Sequence, residues 1–468
     1  MIEEEFYNFP KVSKADWIAQ VKKDLKGKDF ESTLVSDLWN ELKIQPFYTA
    51  EDRPSGSIQS SFHPASETPG MPARIWSNIV SVYVENEKTA NQEIHLALQN
   101  GAEGLVLFLK GTEDLGEILK DVLPQYIQLY FFPSGEKSLV FKGISDWVSS
   151  YQIQHDKLNG AIIWSPFDAL LSGEMDSESQ FSTAAELIQN WKAFPNFFPL
   201  CVDFGRYSES GGTGIQELTY GLGELIELLD QLTQRGLSAE NIFENIAFQS
   251  AAGDLNFPEI AKLKALRSLV VDLATNYDVP LSPDSINLIA ATSTWSYSLL
   301  DKNTNLIRQT YQALAGILGG CNSLWVKTLE GKSASVREKR IARNISTILR
   351  EESYLDKVID PAAGSFYLDS LQKEISDLVK EKVSQLEAQG GWLNSFSEGK
   401  IQKEIRENRL IVQKAVLENT VSKVGANRYT TDGNPDDSPF FEEIVEQGLE
   451  LKPSRASYLV ELQTLKSL

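Results

Sequence analysis

The chain has 468 residues, of which 42% are hydrophobic, so it can bury a large core. Its net charge of -21 argues against nucleic acid or an anionic membrane as a partner, because both are bound by clustered Lys and Arg. The acidic start, Met1 to Glu5, is unlike a signal peptide, and no apolar run is long enough to span a membrane, so we expect a soluble, cytoplasmic protein.

Residues 1–72 are predicted to form an arm and connector. A helix is expected from Ser13 to Leu25, and a Ser- and Pro-rich connector runs from Asp52 to Pro72. Because such a segment has little packing of its own, its aromatic residues are candidates for a subunit interface: Trp17, Trp39, Phe47 and Tyr48. The alternative is an arm that folds back on its own chain.

Residues 73–330 are predicted to form a (β/α)8 TIM barrel, an α/β fold. Eight short apolar runs are expected to be strands: Ile79 to Val84, Gly104 to Leu109, Gln128 to Phe132, Gly160 to Ser165, Leu200 to Phe204, Asn245 to Gln249, Ser268 to Asp272 and Ile286 to Ser293. Helical patterns lie between most of them, which indicates a parallel sheet of barrel size. The alternative, a doubly wound open sheet, would need a Gly-rich first turn that the sequence lacks.

Residues 331–468 are predicted to form a helical extension. Helices are expected from Arg337 to Glu352, Leu371 to Gln389 and Phe396 to Glu418. A turn-rich loop from Asp432 to Asp437 precedes a predicted acidic helix near Glu442 to Leu451.

Several sequence blocks carry a family resemblance. They are Thr294-Trp295-Ser296, Asn305 to Arg308, Gly319-Gly320, Arg340 to Asn344, Glu351 to Ser353 and Asp360 to Tyr367. In this order they resemble blocks of the methylmalonyl-CoA mutase family. Both the catalytic chain and the non-catalytic partner chain of that family share these blocks, so other residues must separate the two.

The resemblance implies the small, non-catalytic subunit of a heterodimer with a larger catalytic chain. Catalytic chains of the family continue into a cobalamin-binding domain marked by an Asp-x-His-x-x-Gly motif, and none of the histidines here, His63, His95 and His155, lies downstream of the barrel's middle. Adenosylcobalamin is therefore expected on the partner, and this chain is expected to have no cobalamin-binding domain.

The loop after the fifth strand supports the same conclusion. The family's catalytic chain carries a Tyr-His pair there, whereas this sequence has Arg206-Tyr207, which we interpret as degenerate active-site positions. The glycines between Gly205 and Gly214 leave open an anion site at the helix that follows. Two alternatives also remain: a catalytic acyl-CoA mutase chain that uses a separate cobalamin-binding subunit, or a stand-alone barrel enzyme that uses Arg206 and Asp203 on an anionic substrate.

The predicted barrel interior has no room for a ligand along its axis. Strands two to four carry bulky residues on both alternating faces, such as Phe108 and Phe131, so the axis should be filled in either register. Polar residues at strand ends are expected to cap loops or to line a separate pocket: Asp203, Gln249, Asp272 and Thr292. Neither the histidines nor Cys201 and Cys321 have the spacing of a metal site, so no metal or catalytic residue is assigned to this chain.

Overall fold

The computed structural model describes residues 12–54, 70–173, 176–430, 441 and 443–466. His63, the connector's Ser-rich part, the Asp432 to Asp437 loop and Glu442 lie outside the described residues. No helix among those described is long and apolar enough to cross a membrane.

The arm consists of two helices and a hairpin. Helix α1 (Lys14–Asp24) begins at a capping box in which Ser13 and Asp16 bond each other's backbone, and it is followed by α2 (Phe30–Leu34). Strands β1 (Ser36–Leu38) and β2 (Leu42–Ile44) pair antiparallel.

The barrel is built from parallel strands that are joined, for the most part, by helices. The strands are β3 (Ser77–Tyr83), β4 (Gly104–Leu109), β5 (Gln128–Pro133), β6 (Gly160–Ile162), β7 (Phe197–Phe198), β8 (Leu200–Asp203), β9 (Ile246–Ala252), β10 (Leu288–Thr292) and β11 (Ser323–Trp325). The helices are α3 (Glu87–Gln99), α4 (Leu115–Ile118), α5 (Lys137–Ser150), α6 (Phe167–Leu171), α7 (Ser177–Trp191), α8 (Gly205–Glu209), α9 (Gly214–Gln234), α10 (Ala239–Phe243), α11 (Asn256–Asn276) and α12 (Lys302–Leu318).

Pro199 divides the fifth barrel strand into β7 and β8. Strand β7 pairs with β6, and β8 pairs with β9, so the two pieces together occupy one barrel position. Proline has no N–H to donate, which explains the break in the ladder. The Cys201 N–H still donates to the Trp164 carbonyl at 2.9 Å, so the barrel is closed with eight strands, as predicted.

One predicted strand is wrong. Ser268 to Asp272 lies inside helix α11, and the eighth strand is β11, so the run from Ile286 supplies the seventh strand. A short apolar run cannot be assigned from its periodicity alone. Here Leu263, Leu266 and Val270 are all buried, since α11 packs against α9, α12 and the later helix Phe366–Ala388, and the helical period continues straight through the run.

The C-terminal extension contains α13 (Val336–Glu351), α14 (Phe366–Ala388), α15 (Gly391–Ser397), α16 (Lys400–Leu417) and α17 (Tyr458–Lys466). The long helix predicted from Phe396 is broken at Gly399, whose φ of 74° is in the left-handed region. The helix predicted near Glu442 to Leu451 is wrong for residues 443–450, which follow an irregular path, and α17 was not predicted.

Candidate functional site

The polar residues predicted at strand ends would lie at the carboxyl end of the barrel, where enzymes of this fold place their chemistry. Asp203 and Gln249 are neighbours in the β8–β9 ladder, and Thr292 ends β10. Asp272 is elsewhere, on helix α11, where it pairs with Lys380 at 2.6 Å. The structure therefore brings together three of the four strand-end residues and removes Asp272 from the site.

Arg206 lies at the barrel mouth, but its charge is already neutralised. Its guanidinium forms an ion pair with Asp168 of α6, and its Nε donates to the Asp203 carbonyl at 2.9 Å. Burial alone would lower the pKa of Arg206, but the neighbouring carboxyls of Asp168, Glu224 and Asp203 raise it above its usual value. Burial also raises the pKa of the Asp203 carboxyl. Because Asp168 is paired with the guanidinium and the Asp203 carbonyl accepts from its Nε, an incoming anion finds no uncommitted positive charge at Arg206.

Tyr207 faces away from the mouth. Its hydroxyl donates to the Glu224 carboxyl on α9 and accepts a hydrogen bond from Trp392 Nε1 at 2.8 Å. Tyr207 and Glu224 are fully buried, and burial raises the pKa of Glu224 to about 8. Sequence analysis treated Arg206-Tyr207 as one degenerate pair, but the two side chains serve different regions. Only Arg206 faces the mouth, while Tyr207 ties the barrel to the C-terminal helices.

The barrel interior is filled by side chains. Its inner layer contains Ile79, Val106, Tyr130, Ala161, Ile163, Cys201, Ala247, Ile289, Ala291 and Trp325, all of them buried. Strand β6 contributes the small residue Ala161, which the prediction of bulk on both faces did not anticipate. Two large residues of this layer bond serines of other strands: Trp325 Nε1 donates to the Ser81 hydroxyl of β3 at 2.9 Å, and the Tyr130 and Ser323 hydroxyls lie 2.7 Å apart.

An aromatic stack covers the inner layer towards the carboxyl end. Phe108 stacks on Tyr83 with ring centroids 4.2 Å apart, and its centroid lies 4.7 Å from that of Phe132 and 6.1 Å from that of Trp325. Offset and tilted arrangements at these distances are favourable for aromatic rings. The stack leaves no path for a ligand along the axis on the side of β3, β4, β5 and β11.

The chain also covers its own barrel mouth with residues 449–457, which we call the strap. The N–H groups of Leu451, Ser454 and Ala456 donate to the carbonyls of Leu171, Glu209 and Trp295, which lie in or next to the segments following β6, β8 and β10. Before the strap, Glu446 binds the guanidinium groups of Arg406 and Arg409. A cavity of about 430 Å³ remains beneath the strap, lined by Cys201, Asp203, Arg206, Leu451 and Pro453, among others.

The Gly205 to Gly214 loop was a predicted anion site, and the helix that follows it is capped by the chain itself. Thr213 and Gln216 form a capping box at the start of α9. The Thr213 hydroxyl also donates to Glu41 at 3.1 Å, and a Cβ added at Gly214 would lie 2.4 Å from the Trp39 ring. A carboxylate and an aromatic ring from the arm therefore cover this helix end.

The four interface candidates occupy different environments. Trp39, at the hairpin tip, packs against the core of its own chain, as the alternative of a folded-back arm requires. The Trp17 ring lies 4.8 Å from that of Phe47, and the Tyr48 ring lies 5.0 Å from that of Tyr367. No residue of helix α1 is buried, so its apolar face, which includes Trp17, is only partly covered.

The described residues offer no ligand set for a cobalt ion or another metal. His95 bonds the Lys120 carbonyl at 3.0 Å, and His155 packs on Phe194, so neither lies at the barrel mouth. No group of three or more His, Cys, Asp or Glu side chains in the described part of the chain is placed to hold a metal ion. The described residues therefore do not fit a cobalamin whose cobalt is coordinated by a protein side chain.

Comparison with known proteins gives a family match over residues 146–459, to the model described as methylmalonyl-CoA mutase. The methylmalonyl-CoA mutase small subunit of Porphyromonas gingivalis is 27% identical over 91% of this chain and 71% of its own length. The small subunit of Streptomyces virginiae is also 27% identical, over 84% of this chain and 66% of its own length. The mitochondrial methylmalonyl-CoA mutase of Bos taurus is 26% identical over 88% of this chain and 60% of its length, so the chain spans only part of these relatives.

Among solved structures, triosephosphate isomerase from Bartonella henselae is similar at a TM-score of 0.32 and 12% identity, over 59% of this chain and 100% of that chain. A likeness this weak carries no argument, and the assignment of a barrel rests on the strand pairing described above.

Proposed function

Because the chain belongs to the methylmalonyl-CoA mutase family, we propose that it is the non-catalytic small subunit of an adenosylcobalamin-dependent mutase. The whole enzyme would be an isomerase that interconverts methylmalonyl-CoA and succinyl-CoA. A larger catalytic chain would bind substrate and adenosylcobalamin, while this chain would support it structurally. The names of two relatives, both small subunits of methylmalonyl-CoA mutase, support this assignment.

The closed barrel is the observation that carries the proposal. Aromatic side chains block the axis on the side of β3, β4, β5 and β11, the strap covers the mouth, and Asp168 neutralises Arg206. A substrate as long as an acyl-CoA would have to displace both the strap and the aromatic stack to reach the axis. The cofactor is proposed to bind the partner, since neither His95 nor His155 is placed to coordinate it.

The proposal can be tested by changing the barrel mouth in the assembled enzyme. The double variant Arg206→Met, Asp168→Asn removes both charges of the ion pair at once. We expect the complex that contains it to turn over methylmalonyl-CoA at the wild-type rate, because no residue of this chain contacts the reacting atoms. A loss of turnover of about a hundredfold, with the complex still intact, would place chemistry at this mouth and contradict the proposal.

Assays of the isolated chain separate this proposal from the two alternatives, a catalytic acyl-CoA mutase chain and a stand-alone barrel enzyme. The isolated chain should neither turn over methylmalonyl-CoA nor show a spectral change when titrated with adenosylcobalamin. Turnover after addition of a separate cobalamin-binding chain alone would favour a catalytic acyl-CoA mutase chain. Turnover of another anionic substrate, lost in Arg206→Met, Asp168→Asn, would favour a stand-alone barrel enzyme.

A further inference from the structure

The first half of helix α12 exposes two large apolar side chains. Ile307 and Tyr311, four residues apart on one face, are 59% and 52% exposed. The buried residues from 302 to 312 are instead polar, namely Asn305, Arg308, Gln309 and Gln312, and the buried apolar residues of α12 begin only at Ala313. A surface helix of a globular protein normally buries its apolar residues and exposes its polar ones. The exposed apolar face of α12 is therefore a candidate binding surface.

The inward polar face is bonded to the chain's own backbone, which fixes this orientation of α12. Asn305 Nδ2 donates to the Ser298 carbonyl at 2.7 Å, and Gln309 Nε2 donates to the Lys327 carbonyl at 2.9 Å. Gln312 Nε2 donates to the Ser293 carbonyl at 2.9 Å. A rotation of the helix that buried Ile307 and Tyr311 would break these bonds, so the apolar face is a permanent feature of the surface.

This face continues towards the N-terminal arm. Asn256 Nδ2 donates to the Tyr311 carbonyl at 3.0 Å, which places the start of α11 beside α12. Leu255 and Phe257 are exposed there, and the Phe257 ring lies 5.9 Å from that of Tyr367, which in turn contacts Tyr48 of the arm. We call Leu255, Phe257, Ile307 and Tyr311 the apolar strip. Beside it lies a cavity of about 710 Å³ that Leu255, Ile307, Tyr311 and Trp39 help to line.

We infer that the apolar strip is a docking surface for the larger mutase chain, an inference that rests on the proposed function. The strip offers that chain an aromatic and aliphatic surface whose neighbouring cation, Lys423, is already paired with Asp254 at 2.5 Å. A second copy is a poor occupant, because each copy carries a net charge of -21 and two copies repel each other. The strip is also continuous with Tyr48, an arm residue predicted to lie at the subunit interface. The occupant is therefore a less acidic chain that presents an apolar surface.

The test is the double variant Ile307→Glu, Tyr311→Glu. Both side chains are exposed, and the hydrogen bond from Asn256 goes to the backbone of Tyr311, so the fold should tolerate the change. The matched control is Leu96→Glu, Leu139→Glu, which adds the same charge at exposed positions of helices α3 and α5. Phe257→Glu on α11 is an independent second variant that changes the strip without changing α12.

The tagged wild-type chain is first used to isolate its partner from native cells, and mass spectrometry establishes whether that partner is a mutase-family chain. Calorimetry with the purified partner should then show binding about a hundredfold weaker for the strip variants, with the control within about twofold of wild type. If the strip variants bind as tightly as wild type, the inference fails and the proposed function stands. If the wild-type chain binds no mutase-family chain, both fail. If the isolated chain is a dimer that the strip variants dissociate, the strip belongs to a second copy and the inference is overturned.

Discussion

Glu224 is a buried carboxyl group whose protonation makes the stability of the fold depend on pH. It shares its site with the Tyr207 hydroxyl and lies near Arg206 and Asp168, yet burial raises its pKa to about 8. The ordinary pKa of a glutamate is about 4.3, so the folded state holds this proton more tightly than the unfolded state does. The stabilisation is fully present below the unfolded pKa and is lost as the pH rises through about 8.

Glu224→Gln should therefore remove part of the pH dependence of unfolding. Glutamine keeps an oxygen that can accept the hydrogen bond from the Tyr207 hydroxyl, but its side chain cannot become charged. We expect the free energy of unfolding of the variant, relative to wild type, to increase by a few kcal/mol between about pH 5 and pH 9. Urea denaturation across this range measures the difference, and a constant difference would show that Glu224 is ionised throughout.

Lys262 is a second buried charge that the sequence did not single out. Its ammonium group contacts Glu217 at 2.6 Å, Glu259 at 2.7 Å and the Ala251 carbonyl at 2.7 Å, and it is 1% exposed. Lys262→Met should lower the free energy of unfolding by about 3–5 kcal/mol, because two buried carboxylates would then repel each other. Urea denaturation at pH 7 checks this value.

The control for Lys262→Met is Lys373→Met, which breaks an exposed pair with Asp377 and should cost less than about 1 kcal/mol. Equal effects of the two substitutions would mean that the carboxylates of Glu217 and Glu259 find other partners when Lys262 is lost.

The sequence contained a signal for the buried acids of α9 that went unused. Glu217 and Glu224 are seven residues apart, two turns of helix, and share the face that carries Leu218, Leu225 and Leu228. A carboxyl at a core-facing position needs a buried partner, so this spacing predicts internal ion pairs or hydrogen bonds. The partners themselves could not be predicted, since Glu217 pairs with Lys262 of α11 and Glu224 bonds Tyr207 of α8, and only the fold brings these elements together.

At the scale of elements, the arm's hairpin is held on the barrel by a tryptophan in an unusual conformation. Trp39 and Asn40 have φ angles of 56° and 58°, and the Glu41 N–H donates to the Leu38 carbonyl across the turn at 3.1 Å. A bulky residue rarely adopts positive φ and does so where the surrounding structure requires it. Here the Trp39 ring lies over Gly214, which has no side chain to block it.

Gly214→Ala should destabilise the protein by about 1–3 kcal/mol, because the new Cβ would lie in the space of the Trp39 ring. In a Trp39→Ala background the same change should be neutral or stabilising by up to about 1 kcal/mol, since alanine is the better helix former. Guanidinium denaturation of the four proteins in this double-mutant cycle measures the coupling between the two positions. Additive effects would show that the ring and the glycine do not meet.

A strand could be predicted from the sequence where the residues flanking an apolar run marked its ends. Gly104–Leu109 was predicted at its exact bounds, because an apolar run between glycine and lysine has one consistent interpretation. Strand β11 was missed because it is only three residues long and begins three residues after Gly320. Ser268 to Asp272 was misassigned because its valines favour strands when considered alone, although their neighbours make them part of a buried helix. Eight strands were therefore counted correctly, but with one of them at the wrong position.

At the scale of the whole molecule, whether the barrel can bind a ligand along its axis depends on the volume of its inward-facing side chains. An eight-stranded barrel has an interior that ordinary side chains just fill, so a ligand channel exists only where inward residues are small. Small inward residues do occur here, at Ala161, Ala247 and Ala291. They share the inner layer with Tyr130 and Trp325, which bond serine hydroxyls on other strands. The filled axis was predicted from bulk on both faces of the strands, whereas the inner layer of the structure combines large residues with small ones.

The isolated chain should consequently bind no acyl-CoA along the barrel axis. Truncating Trp325 to alanine should lower the free energy of unfolding by about 3–5 kcal/mol, a large part of the roughly 5–15 kcal/mol that stabilises a typical protein. Clearing a full channel would require several such changes, so the wild-type barrel cannot open one transiently at a small energetic cost. Calorimetry with methylmalonyl-CoA should therefore detect no binding to the wild-type chain or to Trp325→Ala, while thermal unfolding confirms that the variant is folded. Binding by the wild-type chain at micromolar concentration would contradict the filled axis, and binding gained by Trp325→Ala alone would show that this single ring, rather than the whole inner layer, closes the barrel.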